Sequence, residues 1–225
     1  MATFVIGDVH GCFYTLKHLI AKLPPTSKLI FVGDLVDKGN FPKKTVQFVM
    51  ENNHACIMGN HEYLMIKYIE DVLKGKKTVE WGTNQDFGGY KTIEDYRHDI
   101  PTLTQHLEWM RKLPRYIEIE HYFITHAFAL PYYKRRALPT SHRALMSNRP
   151  SDAQIWGWDW EESYEHYNII NIYGHDIVDR IDTTKQCIGI DTGCVYGNAL
   201  TAIALDDLAL YTEPVDKRDI EKSYN

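Results

Sequence analysis

The chain has 225 residues, 44% of them hydrophobic, with 25 basic and 30 acidic side chains and a formal net charge of −5. That length and apolar content suit one domain with a substantial core, and the scattered basic residues argue against a dedicated nucleic-acid or anionic-membrane surface. Cys12, Cys56, Cys187 and Cys194 show no C-x-x-C spacing, no apolar run nears the ~18 residues of a membrane span, and no signal-peptide pattern opens the chain, so a cytoplasmic location is expected.

In chain order, Thr3–Ile6 reads as a buried strand, and Phe13, Leu16, Leu19, Ile20 and Leu23 recur at helical spacing until Pro24-Pro25 stops them. A strand at 28–32, a helix carrying Val46, Val49 and Met50, and a strand at 54–58 complete a β-α-β-α-β series, the pattern of an α/β fold whose strands are covered by helices. Asn60–Leu73 reads as another helix. Residues 75–100 are polar, glycine-containing and weakly periodic, and are expected to form a cap-like insertion outside the core. A helix at 103–113 follows, then strands at Tyr116–Ile119 and Tyr122–Thr125 and a loop-rich stretch over 127–153. Strands at 169–173, 187–190, 200–205 and 208–212 close the pattern, the last two joined at Asp206-Asp207 as a hairpin. The charged tail from Glu213 is expected to be peripheral, and 1–225 to form a single domain.

Metal-type side chains begin repeatedly where an apolar strand ends. TFVI precedes Gly7-Asp8-Val9-His10, LIFV precedes Gly33-Asp34, ACIM precedes Gly59-Asn60-His61-Glu62, YFIT precedes His126, and NIINIY precedes Gly174-His175. A single Asp or His after a strand reads as a cap or a satisfied polar group; five coordinated occurrences do not. In open α/β sheets ligands sit beyond the carboxyl ends of the strands, so these residues should converge on one rim. A glycine precedes the polar residue in four of the five, permitting a sharp exit and close backbone approach. Asp8, His10, Asp34, Asn60, His126 and His175 are too many for one tetrahedral ion and suit two divalent ions sharing a carboxylate. Nitrogen and oxygen donors without thiolate favour Mn, with Fe or Zn as alternatives, over an all-oxygen Mg or Ca cage. Such a pair of ions can activate water and neutralise charge on a phosphoryl group.

GDVHG, GDLVDKG, GNHE, ITHA and YGHD, in this order, resemble the signature blocks of the calcineurin-like metallophosphoesterases, and within them the phosphoprotein phosphatase family of bacterial and phage serine/threonine phosphatases. The resemblance runs from Gly7 to about Ile203 and includes weaker matches at GGYKTIEDY (88–96) and IDTGCVYGNALTAI (190–203). It implies a β-sandwich of two mixed sheets flanked by helices. It also implies one metal held by Asp8, His10 and Asp34 and a second by Asp34, Asn60, His126 and His175. His61 would be the general acid, Asp37 would orient its imidazolium, and Asn60 and Lys38 would meet the phosphate. Lys38 departs from the arginine usual there and offers a point charge in place of a bidentate clasp. ITHA and GHD depart from His-Gly-Gly and Gly-His-Thr but keep the histidines. Arg135, Arg136, Arg143 and Arg149 remain open as a second phosphate-binding arginine.

The resemblance implies direct attack of a metal-bound hydroxide on a phosphorylated serine, threonine or tyrosine of a protein or peptide. A symmetrical diadenosine tetraphosphate hydrolase, acting on a small phosphorylated nucleotide, ranks second because those enzymes usually carry GNHD where this chain has GNHE, and because 190–203 is more similar to the bacterial protein phosphatases; an inert metal-binding module ranks third. Trp156, Trp158 and Trp160 fall at strand period and read as one packed face, or as an aromatic wall near the metals. Glu62 reads as a brace for its helix. His18, His54, His98, His106, His121, His142 and His166 lack the strand-end context and read as surface or packing residues.

Overall fold

The computed structural model describes residues 1–76, 79–151 and 167–221. Nine strands form two mixed sheets among these residues. The first has the order β3-β2-β1-β8-β9, from Ala55–Cys56, Lys28–Phe31, Thr3–Ile6, Ala199–Ala204 and Leu210–Pro214. The second has the order β4-β5-β6-β7, from Tyr116–Ile119, Tyr122–Thr125, Ile170–Tyr173 and Cys187–Gly189. β1, β2 and β3 run parallel, as do β5, β6 and β7, whereas β8 and β4 pair antiparallel with their neighbours.

Strand alternation sorts the core into layers. Val5, Ile30 and Ile203 of the first sheet meet Ile124, Ile172 and Ile188 of the second in an apolar interior. The intervening Phe4, Ile6, Phe31 and Ala202 point the other way, into a larger cluster with the helices. Those helices are α1 (Phe13–Ala21), α2 (Pro42–Glu51), α3 (Asn60–Leu73), α4 (Glu80–Thr83), α5 (Gly89–Tyr96) and α6 (Ile100–Met110). Two short 3-10 turns and α7 (His142–Ser147) follow β5, and the segment covers the outer face of the second sheet through Phe128, Leu130 and Leu145. The result is helices, sheet, sheet and a helical cover. Each fully buried Leu, Ile, Val or Phe in these layers contributes about 1.5–3 kcal/mol relative to exposure.

Strand and helix positions follow the sequence pattern to within a few residues, but two expectations are corrected. Residues 79–100 do not lie outside the core: Trp81, Ile93 and Tyr96 are buried in the main cluster. Their elements, α4 and α5, are only 4 and 8 residues long, too short for a periodicity to stand out. Nor is the chain beyond Glu213 merely peripheral. Asp216 caps α8 (Lys217–Ile220), and the buried Asp219 accepts hydrogen bonds from the Tyr14 and Thr15 amides and the Thr15 hydroxyl at 2.7–3.1 Å. That latch ties the C-terminal segment to the start of α1. Trp156, Trp158, Trp160 and His166 lie outside the described residues. Among the described residues no helix is long and apolar enough to cross a membrane.

Candidate metal and phosphate site

Parallel pairing brings the carboxyl ends of β1, β2 and β3 to one rim, and those of β5 and β6 meet them from the second sheet. Asp8, His10, Asp34, Asn60, His61, His126 and His175 converge there. Asp8, His10, Asp34, His61 and His126 are buried. The turns that deliver them are tight. His10, Asp34, Asp37, Lys38 and His175 all have φ between 45° and 71°, a left-handed backbone costly for a non-glycine residue and typical of functional turns. Gly59 and Gly174 serve by absence of bulk: a Cβ on the first would land on Asp34 Oδ1, and on the second on Asp8 Oδ1.

The imidazoles are oriented by the backbone. His10 Nδ1 donates to the Val36 carbonyl and His126 Nδ1 to the Val32 carbonyl, each at 2.8 Å, so both rings turn Nε2 inward. His10 Nε2 lies 3.5 Å from Asp34 Oδ2, and His126 Nε2 lies 3.4 Å from Asp34 Oδ1. One carboxylate thus presents one oxygen to each side. Donor atoms of His10, Asp34 and His61 fall within 4.8 Å of one another, and so do those of Asp34, His126 and His175. Asp8 stands beside them, both oxygens accepting from the His175 amide at 3.1–3.2 Å. Asn60 Oδ1 meets His126 Nε2 at 2.8 Å.

Burial, then the Asp191 charge, pushes the Asp8 carboxyl well above its usual range. Burial pulls Asp34 the same way, yet His126, His61 and His10 outweigh it and hold Asp34 well below the usual carboxylate range. Burial opposes the charge on His126, but Asp34 raises it to about 10. Burial and then Lys38 depress His10, while burial and then His126 bring His175 down to about 3. His10 and His175 are thereby held neutral with lone pairs to offer, while Asp8 and Asp34 crowd a site where His126 shares its charge with Asp34, a donor set that divalent cations match.

His61 sits at the mouth. Its Nδ1 donates to Asp37 Oδ2 at 2.7 Å, and its Nε2 lies 3.9 Å from Asp34 Oδ2. The cavity it lines measures about 380 Å³ and is bordered also by Lys38, Asp191 and Tyr196. Lys38 reaches inward, its ammonium 3.1 Å from His10 Nε2 and 5.2 Å from the centre of the Tyr196 ring. Burial opposes its charge, but Asp34 and Tyr196 raise its pKa and keep it cationic.

Of the four arginines left open by the sequence, Arg149 lines this cavity, its Nε 3.8 Å from Asp176. Arg136 pairs with Glu118 at 2.8 Å, and Arg135 lies over the Tyr132 ring. The sequence reading missed Asp191, although it follows the apolar β7 as Asp8 follows β1; only the preceding glycine is lacking. It also missed Trp81 and Thr92, which reach Asp37 from α4 and α5. Thr92 lies inside the GGYKTIEDY match but was given no role there, and no motif covered Trp81.

The calcineurin-like phosphoesterase family profile matches residues 1–220. An asymmetrical bis(5'-nucleosyl)-tetraphosphatase from Halalkalibacterium halodurans is 27% identical over 232 aligned positions, spanning 93% of this chain and 92% of its own length. A symmetrical bis(5'-nucleosyl)-tetraphosphatase from Aromatoleum aromaticum is 23% identical over 274 positions, spanning 94% and 96%. Among solved structures, one provisionally assigned as a diadenosine tetraphosphatase superimposes with a TM-score of 0.69 at 20% identity, over 95% of this chain and 93% of that one.

Proposed function

This chain belongs to the calcineurin-like phosphoesterases, hydrolases acting on phosphoester bonds, and from that membership we propose that it cleaves dinucleoside tetraphosphates with the help of two divalent ions. The observation that carries the substrate class is the rim of the cavity, where an aromatic face and a cation stand side by side against the carboxylate–imidazole cluster. Tyr196 is 59% exposed, far more than a ring of its size needs to be, and the Lys38 ammonium lies against it. A base stacks on such a ring while a polyphosphate meets the ammonium. Both curated relatives described above carry names of that substrate class.

This reverses the order reached from sequence, which placed a protein phosphatase first on the strength of GNHE and of the 190–203 segment. Glu62 is fully buried and borders no part of the cavity; its oxygens accept from the amides of Asp34, Leu35 and Gly59 at 2.7–2.9 Å. A residue committed to bracing turns says little about substrate.

Asp8, His10 and Asp34 would hold one ion, and Asp34, Asn60, His126 and His175 the other, Mn being the first choice and Fe or Zn the alternatives for this donor set. The ions would supply Lewis-acid neutralisation of the phosphoryl charge and activation of water. His61 Nε2 faces the cavity with Nδ1 fixed by Asp37, so it can hand a proton to the departing phosphate oxygen. Lys38 and the Asn60 amide orient the phosphate, and Arg149 extends the cationic wall for the phosphates beyond it.

Steady-state comparison of diadenosine tetraphosphate with phosphoserine and phosphotyrosine peptides, under identical Mn²⁺, tests the assignment. We expect kcat/KM to favour the dinucleotide by at least about a hundredfold. Chromatography of the products would distinguish two nucleoside diphosphates from a triphosphate and a monophosphate. Faster turnover of either phosphopeptide would return the protein-phosphatase reading to first place.

A further inference from the structure

The Asp37 carboxylate accepts side-chain hydrogen bonds on both oxygens. His61 Nδ1 and Trp81 Nε1 both donate to Oδ2 at 2.7 Å, and the Thr92 hydroxyl donates to Oδ1 at 2.5 Å. Thr92 Oγ1 in turn accepts from the Asp37 amide at 3.0 Å, so one side chain grips the residue at two points. That grip falls on a backbone held at φ 71°, where an aspartate would otherwise relax. All three partners of His61 in this chain of contacts are buried: Asp37 and Thr92 fully, Trp81 to within 2%.

Trp81 is itself wedged. A Cβ on Gly89 would press on its indole within 2.5–2.7 Å, so the Gly88-Gly89 turn lets the ring lie flat against the chain with Nε1 aimed at Asp37. Gly88 also accepts the Lys38 amide at 3.3 Å. The segment over 81–92 therefore holds the Asp37-Lys38 turn through Trp81, Gly88 and Thr92, while its Asp86 and Phe87 line the cavity.

We infer that Trp81 and Thr92 are positioning residues for the proton donor: by fixing both oxygens of Asp37, they hold the His61 ring with Nε2 toward the leaving group. The inference rests on the reading of His61 as general acid given above. Packing alone would explain an aromatic ring at position 81. It would not explain why both the indole N–H and the threonine hydroxyl converge on the carboxylate that accepts from the His61 ring nitrogen.

The test uses Trp81→Phe, which keeps the ring and removes the donor, Thr92→Val, which keeps the shape and removes the hydroxyl, and Thr92→Ser, which restores it. Turnover is measured on phenyl phosphate, whose leaving group needs a proton, and on 2,4-dinitrophenyl phosphate, whose leaving group does not. We expect kcat on phenyl phosphate to fall about tenfold or more in the first two variants, with KM within about twofold and the dinitrophenyl ester little changed. Thr92→Ser should recover most of the loss. Equal losses on both esters, or no loss on either, would overturn the inference.

His61→Asn separates this outcome from failure of the parent reading. If its loss is selective for phenyl phosphate while those of Trp81→Phe and Thr92→Val are not, the acid role stands and the positioning role falls. If its losses are equal on both esters, the two fall together. Independently of turnover, ¹⁵N signals should show His61 as a single Nδ1–H tautomer in the parent and as a mixture in Trp81→Phe and Thr92→Val. A single tautomer throughout would also overturn the inference.

Discussion

The two sheets build their shares of the site by different means. The first sheet delivers Asp8, His10, Asp34, Asn60 and His61, and the turns at Asp34 and Asn60 are locked by a buried carboxylate: Glu62 accepts the amides of Asp34, Leu35 and Gly59, so the brace touches Asp34's own backbone. The second sheet delivers His126 and His175 and borrows its alignment across the sandwich, from the Val32 carbonyl and the Asp8 carboxylate. Its internal brace is neutral and more distant. Asn171 on β6 is fully buried and satisfied, accepting from the Ala129 and Leu130 amides and donating to the Phe123 carbonyl and the Thr125 hydroxyl. A half-site that anchors itself needs a motif several residues long, whereas one anchored by its neighbour needs only a histidine at a strand end.

Asp34 is where the halves join, so its replacement should do the most damage. Asp34→Asn keeps the shape but removes the charge shared by both donor clusters. We expect bound metal, measured by atomic absorption on dialysed protein, to fall for both ions together, and kcat/KM to fall at least about a thousandfold. His175→Ala should remove metal from one side only. Loss of a single equivalent in Asp34→Asn would mean that the halves are independent.

The braces give the next contrast. Burial and then the Asp34 charge lift Glu62 to about 7, against which the amide donors favour its ionised form. Glu62→Gln turns an acceptor-only group into one that presents N–H to N–H, at the turn carrying Asp34. We expect a loss of about 1–3 kcal/mol in urea unfolding and a drop in kcat/KM of more than about tenfold. Asn171→Ala leaves buried amide and carbonyl groups unpaired and should cost a similar amount of stability, but its partners Phe123, Thr125, Ala129 and Leu130 flank His126 without binding it, so it should lower kcat/KM only a few-fold. Equal catalytic losses would show that the neutral brace is as closely coupled to the site as the charged one.

What the sequence disclosed follows the same division. GDVHG, GDLVDKG and GNHE were legible because ligand-type residue, glycine and brace lie within a few positions of one another. His126 and His175 were legible only as members of the recurring strand-end pattern, since their supports are more than 90 residues away. Trp81 was hidden because a short helix of mixed polarity carries no periodic signal and a tryptophan that donates to a carboxylate looks in sequence like any other aromatic, and Thr92, though inside the GGYKTIEDY match, showed nothing of its partner 55 residues away. Arg149 could not be chosen among four arginines, because what distinguishes it is its place on the cavity wall and nothing in its neighbours along the chain. The two-sheet sandwich itself came from the family resemblance; periodicity alone gave α/β.

The helical wing that supports the first half also holds a group that should make it sensitive to acid. His106 on α6 is 1% exposed, and its Nδ1 accepts from the Tyr96 hydroxyl at 2.6 Å. Burial brings its pKa down to about 4, while a histidine in the unfolded chain protonates near 6.5. As pH falls the unfolded chain takes up the proton first, so this group destabilises the fold between about pH 6.5 and pH 4, by up to about 3 kcal/mol, and has no effect above that window. Urea unfolding at pH 7 and pH 5 should therefore show a pH dependence that His106→Gln reduces. Because Tyr96 lies on α5 with Thr92, the acid-weakened wing should loosen Asp37 before it disturbs Asn171, and amide exchange at pH 5 should quicken over 89–110 ahead of 170–173. Simultaneous quickening of both segments would mean that the two halves melt as one.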